Sequence, residues 1–155
     1  MGTNRILLAS LALAFSCSAL ADFTGKVVAV ADGDTITVLR DLEQVKVRLT
    51  EIDAPEKAQA FGNVAKQALS ALVFGTEVRV VEHGTDRYRR TLGRVYQGEI
   101  DANAEVLKAG MAWVYRRYAT DKTLYLMEAE AKEQRRGLWA DAEPVPPWEC
   151  RRHKR

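Results

Sequence analysis

Three stretches in the first third of the chain alternate apolar and polar residues with the period of a strand. Phe23 to Ala31, Asp34 to Leu39 and Gln44 to Ile52 are rich in Val, Ile and Thr. Asp32-Gly33 and Arg40-Asp41-Leu42-Glu43 separate them as turns, and this pattern predicts a three-strand meander. In the third stretch Val45, Val47 and Leu49 alternate with Lys46, Arg48 and Thr50. One face therefore enters a core, and the other carries polar groups, Arg48 among them.

From Phe61 to Phe74 the period becomes helical. Val64, Ala68 and Leu72 recur, backed by Ala65 and Leu69, and Gly75 supplies a stop. Thr76 to Glu82 and Leu92 to Tyr96 return to strand character around the polar loop HGTDRYRRT. Asp101 can cap a short helix from Ala102 to Ala109 that ends at Gly110. Asp121 can cap another, in which Leu124, Met127 and Ala131 share a face before Gly137. Three strands, a helix, two strands and trailing helices are the order of an α+β, mainly β chain: a five-stranded OB-fold barrel with three helices. After Ala140 the composition shifts. Pro144, Pro146 and Pro147 lie together before a basic end, and residues 141–155 read as an extended or disordered tail.

The ends change the picture of where the protein works. Arg5, an apolar run from Ile6 to Phe15 and the Ala19-Leu20-Ala21 pattern read as an export signal cleaved after Ala21, which predicts a periplasmic or secreted protein starting at Asp22. The apolar run falls short of the roughly 20 residues that cross a bilayer. Cleavage removes Cys17 and leaves Cys150 as the one cysteine, so no intramolecular disulfide forms. Retention and acylation of Cys17 is the competing reading, disfavoured by the lead-in Ala14-Phe15-Ser16. About 134 residues then remain of 155, enough for one domain, 22–140, with a real core. The formal charge of +2 falls to +1 without Arg5. Arg151, Arg152, Lys154 and Arg155 carry four positive charges, so the body before them is about −3. Whole-protein charge thus gives no sign of nucleic-acid binding, and local placement has to supply it.

Three clusters carry candidate chemistry, and each has a plain structural explanation. ADGDT is an ordinary hairpin turn, RLTEIDAPE a strand with a solvated end, and DRYRR a charged loop. Together they say more. Asp34 begins the second strand, whereas Asp53 and Glu56 follow the third, and an antiparallel meander brings a start and an end to the same sheet edge. Three carboxylates at one rim repel one another unless a cation joins them. Hard oxygen ligands without a His or Cys cluster point to Ca²⁺ or Mg²⁺ over zinc, and the lone His83 reads as structural.

Through VADGDTITV, VRLTEIDAPE, GTDRYRRTLGRVY and VLKAGMAWVY, from about Phe23 to Trp139, the chain resembles the staphylococcal nuclease-like (thermonuclease) family. The resemblance implies a Ca²⁺-dependent phosphodiesterase on an OB-fold. Asp34 and Asp53 would be metal carboxylates, with the backbone carbonyl of Ala54 as a third ligand. Glu56 would be the general base, Arg48 and Arg90 would grip the scissile phosphate, and Arg87 and Tyr88 would hold a terminal phosphate. Tyr115 and Tyr118 are candidates for stacking on a base, whereas Trp113 suits a core at least as well.

Physical chemistry gives these implied roles a reason. Water attack adds negative charge to the non-bridging oxygens, so a cation and two guanidinium groups stabilise the transition state more than the ground state. Arginine's planar fork holds two oxygens at once and stays charged. Two carboxylates and one carbonyl should bind Ca²⁺ loosely, which suits extracellular concentrations of roughly 10⁻⁴ to 10⁻³ M. Three departures from the family's best-known member stand out: Ala54 replaces Thr, Arg89 replaces a glycine, and Lys57 to Phe61 is a shorter segment. The expectation is a monomeric, sequence-nonspecific nuclease acting on DNA and RNA and leaving 3′-phosphates. The alternative is a non-catalytic OB-fold module that binds nucleic acid.

Overall fold

The computed structural model describes residues 22–153. The expected export signal, its cleavage after Ala21, Cys17, Lys154 and Arg155 lie outside the described residues.

The Val- and Ile-rich stretches form β1 (Phe23–Asp32), β2 (Thr35–Arg40) and β3 (Glu43–Leu49), paired as an antiparallel meander. Asp32 pairs with Thr35, leaving Gly33 and Asp34 as a two-residue turn. Asp34 is therefore the last turn residue and not the first of β2. The glycine is required by space: a Cβ at Gly33 would lie 2.7 Å from the Ala65 Cβ and 2.8 Å from the Ala54 Cβ.

The third stretch breaks where alternation alone predicts continuity to Ile52. Glu51 adopts a left-handed backbone, φ 65°, which an L-residue takes only at some cost in strain. Its carboxylate compensates by accepting from the Thr120 N–H at 2.6 Å and the Asp121 N–H at 3.0 Å. The chain then resumes as β4 (Ile52–Asp53), antiparallel to β8 (Trp113–Val114).

Helix α1 (Gly62–Val73) leads to β5 (Glu77–Thr85), β6 (Thr91–Gln97) and the two-residue β7 (Ile100–Asp101). Strands β1, β5 and β6 are antiparallel neighbours, and β3 pairs with β6 in parallel, closing a five-stranded barrel. The fold is mainly β with helices packed around it, as an OB-fold requires. Val27, Ile36, Val38, Val47, Leu49, Val80 and Val95 fill the interior. The face of α1 is rotated from the expected one. Ala65, Leu69 and Val73 are buried, whereas Val64 is 44% exposed and Ala68 and Leu72 are half-buried.

Helices α2 (Ala102–Lys108) and α3 (Lys122–Glu133) begin as expected at Asp101 and Asp121, whose side chains accept from the N–H groups of Ala104 and Thr123. Leu124 and Ala131 of α3 are buried and Met127 packs against the core. A 3₁₀ turn spans Gly137–Ala140. The proline-rich end departs from expectation, because Pro147–His153 form a further helix, α4, that returns to the barrel rim. Among the described residues no helix is long and apolar enough to cross a membrane.

Candidate active site

A cleft of about 1070 Å³ opens at the barrel rim where the β1–β2 turn, the end of β3 and the β5–β6 loop meet. Asp34, Arg48, Asp53, Ala54, Glu56, Arg87, Tyr88, Arg90, Tyr115 and Tyr118 all line it. His83 lines it as well, without a second imidazole or a thiol beside it.

Arg48 organises the floor. It lies in β3 opposite Thr35, and its Nη1 donates to the carbonyls of Leu49 at 3.0 Å and Ile52 at 3.1 Å. The same nitrogen lies 3.1 Å from Asp34 Oδ2, and Nη2 lies 2.9 Å from Asp53 Oδ1. One guanidinium thus bridges two carboxylates that the fold has buried, Asp34 at 5% exposure and Asp53 at 0%. Asp34 Oδ2 also accepts from the Ala54 N–H at 2.7 Å, tying the turn to the segment after β4.

This environment disfavours the Asp34 charge. Burial pushes its carboxyl up from the usual carboxylate range to about 7, with Asp32 and Asp53 adding repulsion that Arg48 and the Ala54 N–H only partly offset. A carboxyl held this way gains from any further positive charge. Among the described residues no three His, Cys, Asp or Glu side chains converge as a metal-holding group.

Glu56 stands at the entrance, with its side chain 36% exposed. Its carbonyl abuts α1 so closely that a Cβ at Gly62 would approach it to 2.1 Å, so Gly62 lets the helix start against this loop. Arg90 enters from the opposite wall. The β5–β6 loop is wound around Asp86, which accepts from the N–H groups of Tyr88 at 2.9 Å and Arg90 at 3.0 Å and from Arg90 Nε at 2.8 Å. Arg89, where the family's best-known member has glycine, takes φ 64° in this turn. Arg90 Nη1 lies 3.4 Å from Thr35 Oγ1, beside Asp34. Arg87 and Arg90 lie over the exposed Tyr88 ring at 4.7 and 5.6 Å.

Two residues of the site lie in the stretch that sequence reasoning read as a tail. Arg151 of α4 places Nη2 2.6 Å from Asp53 Oδ2 and Nη1 2.6 Å from Glu56 Oε1. Burial works against its charge, but the hydrogen bonds to Asp53 and Glu56 outweigh that and hold its pKa above the usual arginine range. Trp148 lies parallel to Tyr115, with 7° between the planes and centroids 6.2 Å apart, and meets the buried Trp113 edge-on. Tyr118 packs edge-on against Tyr115 at 4.9 Å. A local signal for α4 does exist: Pro147 at the first helical position, Glu149 in the first turn and Arg151 and Arg152 near the end complement a helix dipole.

Buried carboxylates and arginines on one cleft of a closed five-stranded barrel are the groups that an enzyme acting on phosphate esters would use. Residues 46–141 match the family described as staphylococcal nuclease homologue. The chain is similar to a protein named micrococcal nuclease from Shigella flexneri, 46% identical over 159 residues that cover 96% of this chain and 91% of that protein. It is similar to a protein named uncharacterized endonuclease from Escherichia coli O157:H7, at 47% identity over 86% of this chain and 88% of the relative. A protein of the same name from Haemophilus influenzae is 44% identical over all of this chain and 89% of its own length. The chain belongs to the staphylococcal nuclease family and is a hydrolase, an endonuclease.

Proposed function

We propose that this protein is an exported, Ca²⁺-dependent, sequence-nonspecific nuclease that hydrolyses DNA and RNA and leaves 3′-phosphates. The observation that carries this reading is the Arg48 bridge between buried Asp34 and Asp53, with Glu56 and Arg90 on the same cleft.

The donor set suits Ca²⁺. Asp34 and Asp53 would hold the ion, with the Ala54 carbonyl and water completing the shell, and the raised Asp34 carboxyl is a group that gains from a divalent charge. The chemistry the bound ion supplies is acidification of the attacking water and charge opposite the non-bridging oxygens. Glu56, at the entrance, accepts the proton of that water. Arg48 is fixed through Nη1 on the Leu49 and Ile52 carbonyls and through Nη2 on Asp53, so a phosphate oxygen would be met by Nε and the second Nη2 proton. Arg90, braced through Nε and Nη2 on Asp86, would offer Nη1 as a second donor held in place before the reaction. Arg87 and Tyr88 would take a terminal phosphate, and the Tyr115 and Tyr118 rings a base.

The export reading rests on residues 1–21 and agrees with a loosely held Ca²⁺, which extracellular concentrations would fill. The chain is proposed to act as a monomer.

Incubation of the protein starting at Asp22 with labelled single-stranded DNA and with RNA, in Ca²⁺ or EGTA, tests the reading. Cleavage is expected in Ca²⁺ alone, and Glu56→Gln should slow it by about 10³-fold, within the range for loss of a general base. Equal cleavage in EGTA would contradict the Ca²⁺ requirement.

A further inference from the structure

Helix α4 sits on the two features that the proposed reaction needs free. Arg151 covers both oxygens of Asp53, at 2.6 and 3.3 Å, and reaches Glu56 Oε1 at 2.6 Å. Trp148 lies parallel to the Tyr115 ring, where a base would stack. Gln59, next to the Glu56 loop, donates to the Val145 carbonyl and fastens the lead-in to the helix. One helix therefore presents a cation to the acid cluster and an aromatic plane to the stacking platform, the two kinds of group that a metal and a nucleic acid would bring.

We infer that α4 is a self-occluding plug: Arg151 holds the cation seat and Trp148 the base platform, and both ligands bind at the expense of α4 docking. This rests on the reading of the cleft as a Ca²⁺-dependent nuclease site. The seat is exchangeable by construction. The Arg151 side chain is 41% exposed, against 1% for Asp53, so the plug can leave into solvent while the acid stays in the cleft. Pro146 and Pro147 stiffen the segment that leads into α4. Arg151 brings one charge where Ca²⁺ brings two, and the two compete for the same oxygens. By reciprocity, the factor by which docked Arg151 weakens Ca²⁺ binding is the factor by which Ca²⁺ weakens docking.

Calorimetric titration of Ca²⁺ into the protein without nucleic acid tests this directly. Arg151→Ala should tighten Ca²⁺ binding by about tenfold, a usual size for such coupling. Arg152→Ala removes the same charge from a side chain that is 73% exposed and 3.7 Å from Glu149, and should leave affinity unchanged. Amide exchange over residues 148–153 in the wild type should quicken on adding Ca²⁺. Unchanged or weaker affinity in Arg151→Ala, an equal gain in Arg152→Ala, or exchange indifferent to Ca²⁺ would each overturn the plug. Failure of the nuclease reading shows separately: the affinity and exchange shifts without cleavage in any variant would retain the plug and remove the reaction.

Discussion

Two arginines in this molecule each sit among acidic side chains, and the carboxyls around them shift in opposite directions. Arg94 of β6 contacts Asp101 at 2.6 Å, Asp121 at 2.8 Å and Glu51 at 3.5 Å. Each of those carboxylates has a second task. Asp101 caps α2, Asp121 caps α3, and Glu51 holds the N–H groups of Thr120 and Asp121. The Thr123 hydroxyl and Arg94 hold the Asp121 carboxyl down at about 2. Burial pushes Glu51 up, yet the Asp121 and Thr120 donors outweigh it and leave the carboxyl below its usual range. Arg48 faces carboxylates that lie deeper in the protein, and burial drives Asp34 up to about 7. A cluster whose donors outweigh burial ties elements together, whereas one in which burial wins gains from a ligand that adds positive charge.

Exchanging the arginine in each cluster should separate the two roles. Arg48→Lys keeps the charge but loses the fork, and about a 100-fold loss of cleavage is expected in steady-state kinetics, the scale of one preorganised donor. Full activity would show that charge alone suffices there. Arg94→Met should instead act on stability, because it leaves acids of two helix starts without their cation. Denaturant melts should show a loss of about 3 kcal/mol, the low end for breaking a largely buried pair, while the folded fraction still cleaves. A loss as small as that of a surface pair would make the Arg94 cluster as dispensable as the comparison makes it necessary.

The parts of this arrangement that local pattern reveals are those made by neighbours. VADGDTITV and VRLTEIDAPE announce strands and turns, and a meander is enough to bring Asp34 near Asp53. The break at Glu51 is invisible because its left-handed backbone is held by donors about 70 residues away, at Thr120 and Asp121. Helical spacing in α1 fits both the Val64 stripe and the Ala65 stripe, and the Gly33–Ala65 approach decides between them. Arg151 reaches Asp53 across 98 positions, and prolines that usually mark loose ends here launch a helix.

Burial leaves the Asp34 charge under-compensated in the Arg48 cleft, whereas donors outweigh burial for Glu51 and Asp121 around Arg94, and pH reads the difference. Asp121, lowered from 3.8 to about 2, stabilises the fold above about 3.8, and this contribution is lost as pH falls through about 2. Asp34 has the opposite sign. Raised from 3.8 to about 7, it binds a proton more tightly folded than unfolded, so stability in EGTA falls as pH rises between those values. The direct measurement is a carboxyl-carbon NMR titration of both residues, with EGTA and then with saturating Ca²⁺. Asp121 is expected near 2 in both, and Asp34 near 7 in EGTA but well below that in Ca²⁺. An Asp34 that titrates near 4 and ignores Ca²⁺ would contradict this expectation.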